Sequence, residues 1–449
     1  MKNLIIGFLA IIFTNYALAE SKISDQVESL INKTDSNLNI GIKVKNLATN
    51  QVVYEKNSKR YFMPGSSLKF ITIVSLLEHF GPDYQFTSKV LKQGNNYYID
   101  IHHPNFSYED LKLMIARISE DSGNQVKGNI YIVNNEFSVP AIMREKTISD
   151  TIYCNGALIT KVHLDKNCAR ANVKPGKVGQ GILVKSNKNF PYNIENNAKT
   201  IGKNKLDRLH VDIEGDKYVI NGTLSKAYGL LPIGAVTSEN FKNVIQYVKK
   251  GLSLRGANVH GKITVGKAPK AAKTIYSLSI PYKDAADRAM KISDNFMTDY
   301  FLAEYATQNK FSEWRAAIAS VKHLIARKFN VDLRRSEIHD ASGIARRNLL
   351  TVEQLSDFLT SVHKSKNYET VKSLMACPGD DCTLRERFKG VKDLYTKTGT
   401  LRHVSSLMGY FKDKSGQEHS FVIMANNFYS YNDPYRKLEE EIVRLFIER

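Results

Sequence analysis

Pro64-Gly65-Ser66-Ser67-Leu68-Lys69, followed by the apolar run Phe70 to Phe80 and closed by Gly81-Pro82, is the stretch on which the reading of this chain turns. Pro64 and Gly65 punctuate the chain, the run behind them is long enough for a helix, and Gly81 with Pro82 is a usual stop. The pattern predicts a buried helix with Ser66 in its first turn and Lys69, three residues on, on the same face. A serine hydroxyl is a weak nucleophile until a base takes its proton, and a lysine serves when desolvation lowers its pKa toward neutrality. The helix N-terminus adds partial positive charge and N–H groups that can hold a developing oxyanion. Ser-x-x-Lys recurs at Ser361 to Lys364, inside a predicted helix that starts near Thr351, where Lys364 opens a polar stretch. The spacing alone is therefore weak; the helix-start position of Ser66 and the apolar body behind it separate the two copies.

Met1 to Ala19 reads as a secretory leader: Lys2, an apolar run from Leu4 to Phe13, then Ala17-Leu18-Ala19 as a small-residue cleavage site. Export to the periplasm is the expectation, and no later stretch is apolar enough to span a bilayer. Lysines and arginines exceed acids by 64 to 45, giving a formal charge of +19 in 449 residues. That excess favours anionic surroundings and permits contact with a membrane surface, but export argues against nucleic acid and the charges are spread rather than clustered. The four cysteines fall into two close pairs, Cys154 with Cys168 and Cys377 with Cys382. In an oxidising compartment proximity predicts two small disulfide loops; metal binding is the rival, disfavoured by the absence of a Cys-x-x-Cys spacing.

Along the chain an amphipathic helix over Ser21 to Lys33 and strands over Asn39 to Val44 and Gln51 to Glu55 precede the Ser66 helix. From Pro82 to about Lys270 short β-like runs alternate with Asn-, Lys- and Gly-rich loops, interrupted by predicted helices at Tyr108 to Ile118 and Ser238 to Leu252. Helical pattern returns over Lys283 to Tyr305 and Trp314 to Lys328. Strands follow over Leu394 to Thr398, Val404 to Phe411 and Ser420 to Asn426, and a last helix opens at Asp433-Pro434. Strand-rich ends, each flanked by a helix, predict one sheet built from both ends of the chain with a long insertion between them. The expected class is mixed α/β (α+β): residues 20–82 and 271–449 form one domain, and 83–270 an insertion of one or two mixed, largely β modules.

Two further stretches carry chemistry. Ser293-Asp294-Asn295 interrupts a helical pattern in a way that could aim a hydroxyl and an amide into a cleft, although Ser122, Ser238, Ser365 and Ser430 also begin Ser-x-Asn. Lys397-Thr398-Gly399 lies near the end of a strand and occurs nowhere else in the chain. Its lysine and hydroxyl could clamp a carboxylate, and Gly399 lets a ligand approach the backbone.

Ser-x-x-Lys, Ser-Asp-Asn and Lys-Thr-Gly, in that order and each on the element its role requires, form the signature of penicillin-binding proteins and class A β-lactamases. The chain resembles the class C low-molecular-mass penicillin-binding proteins, the D-alanyl-D-alanine carboxypeptidase/endopeptidase family. Gly81 to Thr87, Gly128 to Ile132, Asp340 to Asn348 and Thr383 to Phe388 also look like stretches that family carries. The long separation of Ser66 from Ser293 fits a family whose penicillin-binding/β-lactamase-like transpeptidase domain, an antiparallel sheet flanked by helices plus an all-helical part, is split by two inserted domains. Gly65 and Thr400 depart from the Ala and Ser that the family often carries, and the Cys377–Cys382 loop is not expected in most relatives.

The resemblance implies roles residue by residue. Ser66 attacks the carbonyl between two terminal D-alanines with Lys69 as base, and Ser293 relays a proton to the leaving amine. Asn295 binds the substrate backbone, Lys397 and Thr398 hold the terminal carboxylate, and the N–H groups of Ser66 and Thr400 form the oxyanion hole. It also implies peptidoglycan stem peptides as substrates, β-lactam antibiotics as covalent inhibitors, and neither metal nor organic cofactor. Two readings compete: a β-lactamase, which would deacylate fast but for which no deacylating glutamate is assignable, and a catalytically idle scaffold that binds cell wall through the insertion. Oligomeric state and the balance of carboxypeptidase against endopeptidase activity are not legible.

Overall fold

Every residue from Ile40 to Asn46 is buried, so this strand lacks the alternation of a half-exposed sheet and must be covered on both faces. In the computed structural model it lies second in a five-stranded antiparallel sheet whose order is Val52–Lys56, Asn39–Asn46, Glu418–Asn426, Val404–Lys412, Leu394–Leu401. The register pairs Ile42 with Ile423 and Leu407 with Ile423, tying the two ends of the chain into one sheet as expected. The structure describes residues 22–449 except 144, 147–153, 187–189, 191, 204–207, 238, 380–381 and 430. The predicted leader 1–19 lies outside the described residues.

The sheet belongs to a unit made of the residues up to Gly81, Ala286–Thr298 and Trp314–Arg449. One face packs on the N-terminal helix, 22–34, and the C-terminal helix Asp433–Ile447, with Val27, Ile31, Ile442 and Phe446 buried against Ile42, Leu407 and Ile423. Each such side chain contributes about 1.5–3 kcal/mol on leaving water. The Ser66 helix, Leu68–Phe80, is buried continuously from Leu68 to Leu77, and Phe70 meets Phe358 edge-on, 5.8 Å between centroids, on helix Val352–His363. Phe358 in turn packs on Phe329 of helix Trp314–Phe329. Leu68–Phe80 is therefore a rigid platform rather than a surface helix.

The second unit comprises Pro82–Ala285 and Asp299–Glu313. Its five-stranded sheet runs Ile263–Gly266, Ile130–Val133, Asn96–Asp100, Gln85–Gln93, Lys273–Pro281, with helices Tyr108–Asp121 and Asn240–Leu254 packed on it through Ile115, Val244 and Val248. A separate apolar cluster gathers Val173, Tyr218, Ile220 and Ala235 from shorter strands. The expected boundary near residue 271 is displaced. Lys273–Pro281 pairs antiparallel with Gln85–Gln93 from Lys273↔Lys92 to Pro281↔Gln85, so the chain leaves this unit only after Ala285. Ser277 and Ser279 are exposed while Leu278 and Ile280 are partly buried, the alternation of a half-covered strand.

Two buried ion clusters lie in this unit. Lys146 Nζ is 2.8 Å from Asp299 Oδ2, both side chains at most 3% exposed. Glu304 is 3.1 Å from His102 Nε2 and 3.2 Å from Lys161 Nζ, and it accepts the Tyr84 hydroxyl at 2.8 Å. Burial pulls the Glu304 carboxyl upward, but hydrogen bonding and charge from His102, the charge of Lys161 and the Tyr84 hydroxyl prevail and bring it to about 2.

Candidate active site

The site is built from the ends of elements within the first unit. Gly65–Ser67 form a single 3-10 turn that runs straight into helix Leu68–Phe80, so Ser66 precedes the α-helix proper instead of sitting in its first turn. The turn is fastened from below. Ser67 Oγ lies 2.8 Å from Ser406 Oγ, which itself donates to Pro64 O at 2.7 Å, and Asn426 Oδ1 accepts Met63 N–H at 2.6 Å. Ser66 is half-buried at the top of this cradle.

Lys69, fully buried, has its Nζ 2.8 Å from Ser66 Oγ and donates to Asn295 Oδ1 at 2.6 Å and to the Ser342 carbonyl at 2.6 Å. Three of the singled-out residues thus meet at one amine, from segments more than 200 positions apart.

Ser293-Asp294-Asn295 is the break between helices Tyr282–Lys291 and Asn295–Gln308. Ser293 adopts a left-handed backbone, φ +57°, an uncommon state for serine and one that turns its hydroxyl out of the helical path. Asp294 caps the second helix by accepting Met297 N–H at 2.9 Å. Lys397 Nζ donates to Ser293 Oγ at 2.9 Å and to the Thr398 carbonyl at 2.7 Å. Its pKa is pushed well below the usual lysine range by burial first and the charge of Lys69 second, against a weaker opposing pull from Cys382.

Leu394–Leu401, which carries Lys397, Thr398, Gly399 and Thr400, is the edge strand of the sheet. On its outer side Thr396 exchanges both backbone bonds with Ala376, at 2.8 and 3.0 Å. Strand alternation points the Thr398 and Thr400 amides the same way, and these are the groups an added strand would use. Gly399 is obligatory for close approach: a Cβ there would collide with Ser406 Oγ and come within 2.6 Å of Pro64 O. The Thr400 side chain is exposed, and its hydroxyl receives Arg436 Nη2 at 3.3 Å.

All the predicted site residues other than cysteines therefore lie in one neighbourhood. The cysteines divide. Cys154 and Cys168 form a disulfide in the second unit, with Cα atoms 5.4 Å apart. The second expected disulfide is corrected: Cys377 and Cys382 are thiols. Each sulfur is committed to the main chain, Cys377 donating to Met375 O at 3.8 Å and Cys382 to Cys377 O at 3.3 Å while it accepts Leu384 N–H. Among the described residues no cluster of three or more His, Cys, Asp or Glu is placed to hold a metal, and no helix is long and apolar enough to cross a membrane.

Sequence reasoning did not find the Ser342 carbonyl, Asp340, Ser406 or Asn426. A backbone carbonyl has no side-chain signature, and the serine and asparagine read as ordinary strand residues. Asp340 opens one of the stretches that carry the family resemblance, but nothing in its neighbours' identities gives it a role.

A serine and a buried lysine at a helix start, faced by a second serine–lysine pair and an edge strand, on this sheet and helix arrangement, mark a serine-type enzyme of the penicillin-binding/β-lactamase-like fold. The chain belongs to the D-Ala-D-Ala carboxypeptidase 3 (S13) family, which it matches over residues 23–446, and with that family to the serine-type DD-carboxypeptidases. It is 21% identical over 442 residues to the D-alanyl-D-alanine carboxypeptidase DacB of Haemophilus influenzae, covering 94% of this chain and 91% of that protein. It is 23% identical to a D-alanyl-D-alanine carboxypeptidase of an Actinomadura species, covering 90% and 80%. Penicillin binding protein 4 from Haemophilus influenzae superposes with a TM-score of 0.80 at 19% identity, covering 94% of this chain and 99% of that one. A predatory endopeptidase from Bdellovibrio bacteriovorus superposes at 0.53 with 14% identity, covering 90% and 92%.

Proposed function

We propose that this enzyme is exported and cleaves peptidoglycan stem peptides through an acyl-enzyme on Ser66, as a carboxypeptidase and as an endopeptidase, and that β-lactams acylate the same serine. The observation that carries the reading is the 2.8 Å contact of Lys69 Nζ with Ser66 Oγ, made by an amine that also meets Asn295 and Ser342. Ser66 Oγ adds to the carbonyl between the two terminal D-alanines while Lys69 takes its proton. The negative charge on the former carbonyl oxygen is held by the N–H groups of Ser66 and Thr400.

Collapse of the tetrahedral adduct breaks the C–N bond, and the leaving amine takes a proton through Ser293, hydrogen-bonded to Lys397. Lys397 and Thr398 receive the terminal carboxylate, whose arrival favours the charged form of a lysine otherwise held low by burial. Asn295 and the outer edge of Leu394–Leu401 align the substrate backbone as an added strand. Water then hydrolyses the ester, returning Ser66 and releasing the shortened peptide. Carboxypeptidase and endopeptidase reactions share these steps and differ only in the group attached on the leaving side of the scissile bond. The structural likeness to penicillin binding protein 4, also solved with a β-lactam, agrees with this reading through fold alone. The basic surface, +19 overall, suits an anionic wall polymer or membrane surface as its working environment.

The test is incubation of the purified enzyme and a Ser66→Ala variant with a stem pentapeptide ending in D-Ala-D-Ala and with a D-Ala-cross-linked muropeptide dimer. D-alanine release and dimer opening by the wild type, both lost in the variant, are expected. Release without dimer opening removes the endopeptidase half, and absence of both removes the reading.

A further inference from the structure

We propose that Asp340 is a positioning residue for acylation: it holds the Ser342 carbonyl on Lys69 so that the amine presents its lone pair, and not a proton, to Ser66. The proposal rests on the roles given above to Ser66 and Lys69.

The Asp340 side chain is fully buried, and both oxygens are occupied by donors. Oδ1 accepts Gly343 N–H at 2.9 Å and Asn348 Nδ2 at 2.8 Å; Oδ2 accepts Ile344 N–H at 2.8 Å, Ala345 N–H at 3.1 Å and Ser342 Oγ at 3.1 Å. Five donors and no acceptor are what a carboxylate satisfies, and a carboxamide would turn its own N–H₂ against them. Asn348, buried too, is itself oriented by His339 N–H on its Oδ1 at 2.8 Å.

The link to Lys69 is covalent geometry. Gly343 N–H and the Ser342 carbonyl belong to one planar trans peptide and point in opposite directions. Drawing Gly343 N–H onto Asp340 therefore aims the Ser342 oxygen away from it, and Lys69 Nζ meets that oxygen at 2.6 Å. The preceding carbonyl, Ala341, accepts Thr72 Oγ1 at 3.0 Å, and Thr72 shares a helix face with Lys69, so two successive carbonyls of the loop grip that face. Gly343 can take its φ of +83° and lie so close that a Cβ would collide with the Gly65 carbonyl, just before the nucleophile.

A neutral lysine amine has two N–H bonds and one lone pair. Asn295 Oδ1 and the Ser342 oxygen accept the two N–H bonds, which leaves the lone pair on the side of Ser66 Oγ. With the Ser342 carbonyl turned away, the amine can rotate and donate to Ser66, the wrong polarity for a base. Lys397 on the edge strand acts on this amine through its charge, and Asp340 is tied to it through the Ser342–Gly343 peptide.

The experiment measures stopped-flow acylation by benzylpenicillin, separating the binding constant K from the acylation rate k2, across pH, for wild type, Ser66→Ala, Asp340→Asn and Asn348→Ala, with thermal unfolding of each. Asp340→Asn is expected to lower k2 on the order of 10²-fold with K little changed, the effect of a reacting group displaced by about an ångström. Its acid limb should move to lower pH, because a negative group that favours charged Lys69 is gone. Asn348→Ala, which removes one donor and keeps the carboxylate, should lower k2 by a smaller factor, again without changing K. A folded Asp340→Asn protein with unchanged k2, or one in which k2 and K fall together at an unmoved acid limb, overturns the proposal. If Asp340→Asn does not fold, Asn348→Ala with k2 equal to wild type overturns it. Failure of the wild type to form an adduct at Ser66 would instead remove the proposed function.

Discussion

Two of the buried lysines in the first unit and two lysines with buried side chains in the second keep opposite company. Lys69 and Lys397 in the peptidase unit, both fully buried, lie among hydroxyl, amide and carbonyl oxygens: Ser66, Asn295 and Ser342 for one, Ser293 and Thr398 for the other. Lys146 and Lys161 in the second unit lie against the carboxylates of Asp299 and Glu304. Neutral dipoles with a second lysine nearby favour the unprotonated amine, and Lys397 is held well below the usual lysine range by burial and Lys69. A carboxylate at hydrogen-bond distance does the reverse and leaves a charged, inert pair. Burial alone therefore does not decide the charge of a lysine; the company it keeps does.

The sharpest way to break this comparison is to remove one lysine from each set. Lys69→Met should lower benzylpenicillin acylation by about 10²–10⁴-fold, the range of a lost general base, while Lys161→Met leaves the rate within a few-fold. Comparable losses in both would mean that the distinction is false. Lys146→Met removes the cation from a buried carboxylate and should destabilise the enzyme by roughly 3–5 kcal/mol in urea unfolding at unchanged acylation rate.

Glu304→Gln sharpens the comparison by pH. The native carboxyl stands near 2 against an ordinary 4.5, so it stabilises the fold above pH 4.5 and loses that contribution as pH falls through about 2. The variant should be about 3 kcal/mol less stable at pH 7, with the difference vanishing toward pH 2 in denaturant titrations. A difference that persists undiminished at pH 2 would show that Glu304 acts through packing instead of charge. The smallest expected effect is that of Cys154→Ser with Cys168→Ser, about 2–3 kcal/mol for a loop spanning 14 positions. Thiol titration of denatured, unreduced enzyme should count two groups, Cys377 and Cys382; none would restore the second disulfide.

The parts of the molecule that declare themselves in sequence are those whose chemistry is written in side chains at fixed local spacing. Ser66 and Lys69 share a helix face, Ser293 and Asn295 flank a helix break, and Lys397 to Thr400 end a strand, so each motif could be placed before any coordinates. The sheet was legible because strand-like runs recur at both ends of the chain, each flanked by a helix. The exit from the second unit was missed because Lys273–Pro281 is a modestly apolar strand whose identity rests on a partner, Gln85–Gln93, nearly 200 positions earlier. Proximity in sequence misled for Cys377 and Cys382, whose sulfurs bond the main chain of their own loop. The Ser342 carbonyl and the carboxylate that aims it were invisible, since a main-chain oxygen looks the same at every position until the peptide plane is fixed.

The measurement that bears most directly on the proposed chemistry is the intact mass of the enzyme after brief exposure to benzylpenicillin, followed over time beside Ser66→Ala. A single adduct that persists in the wild type and is absent from the variant is the predicted result. An adduct that disappears within seconds would make the site a β-lactamase's, and an adduct retained in Ser66→Ala would contradict the assignment of the nucleophile on which the roles of Lys69, Ser293, Lys397 and Asp340 all depend.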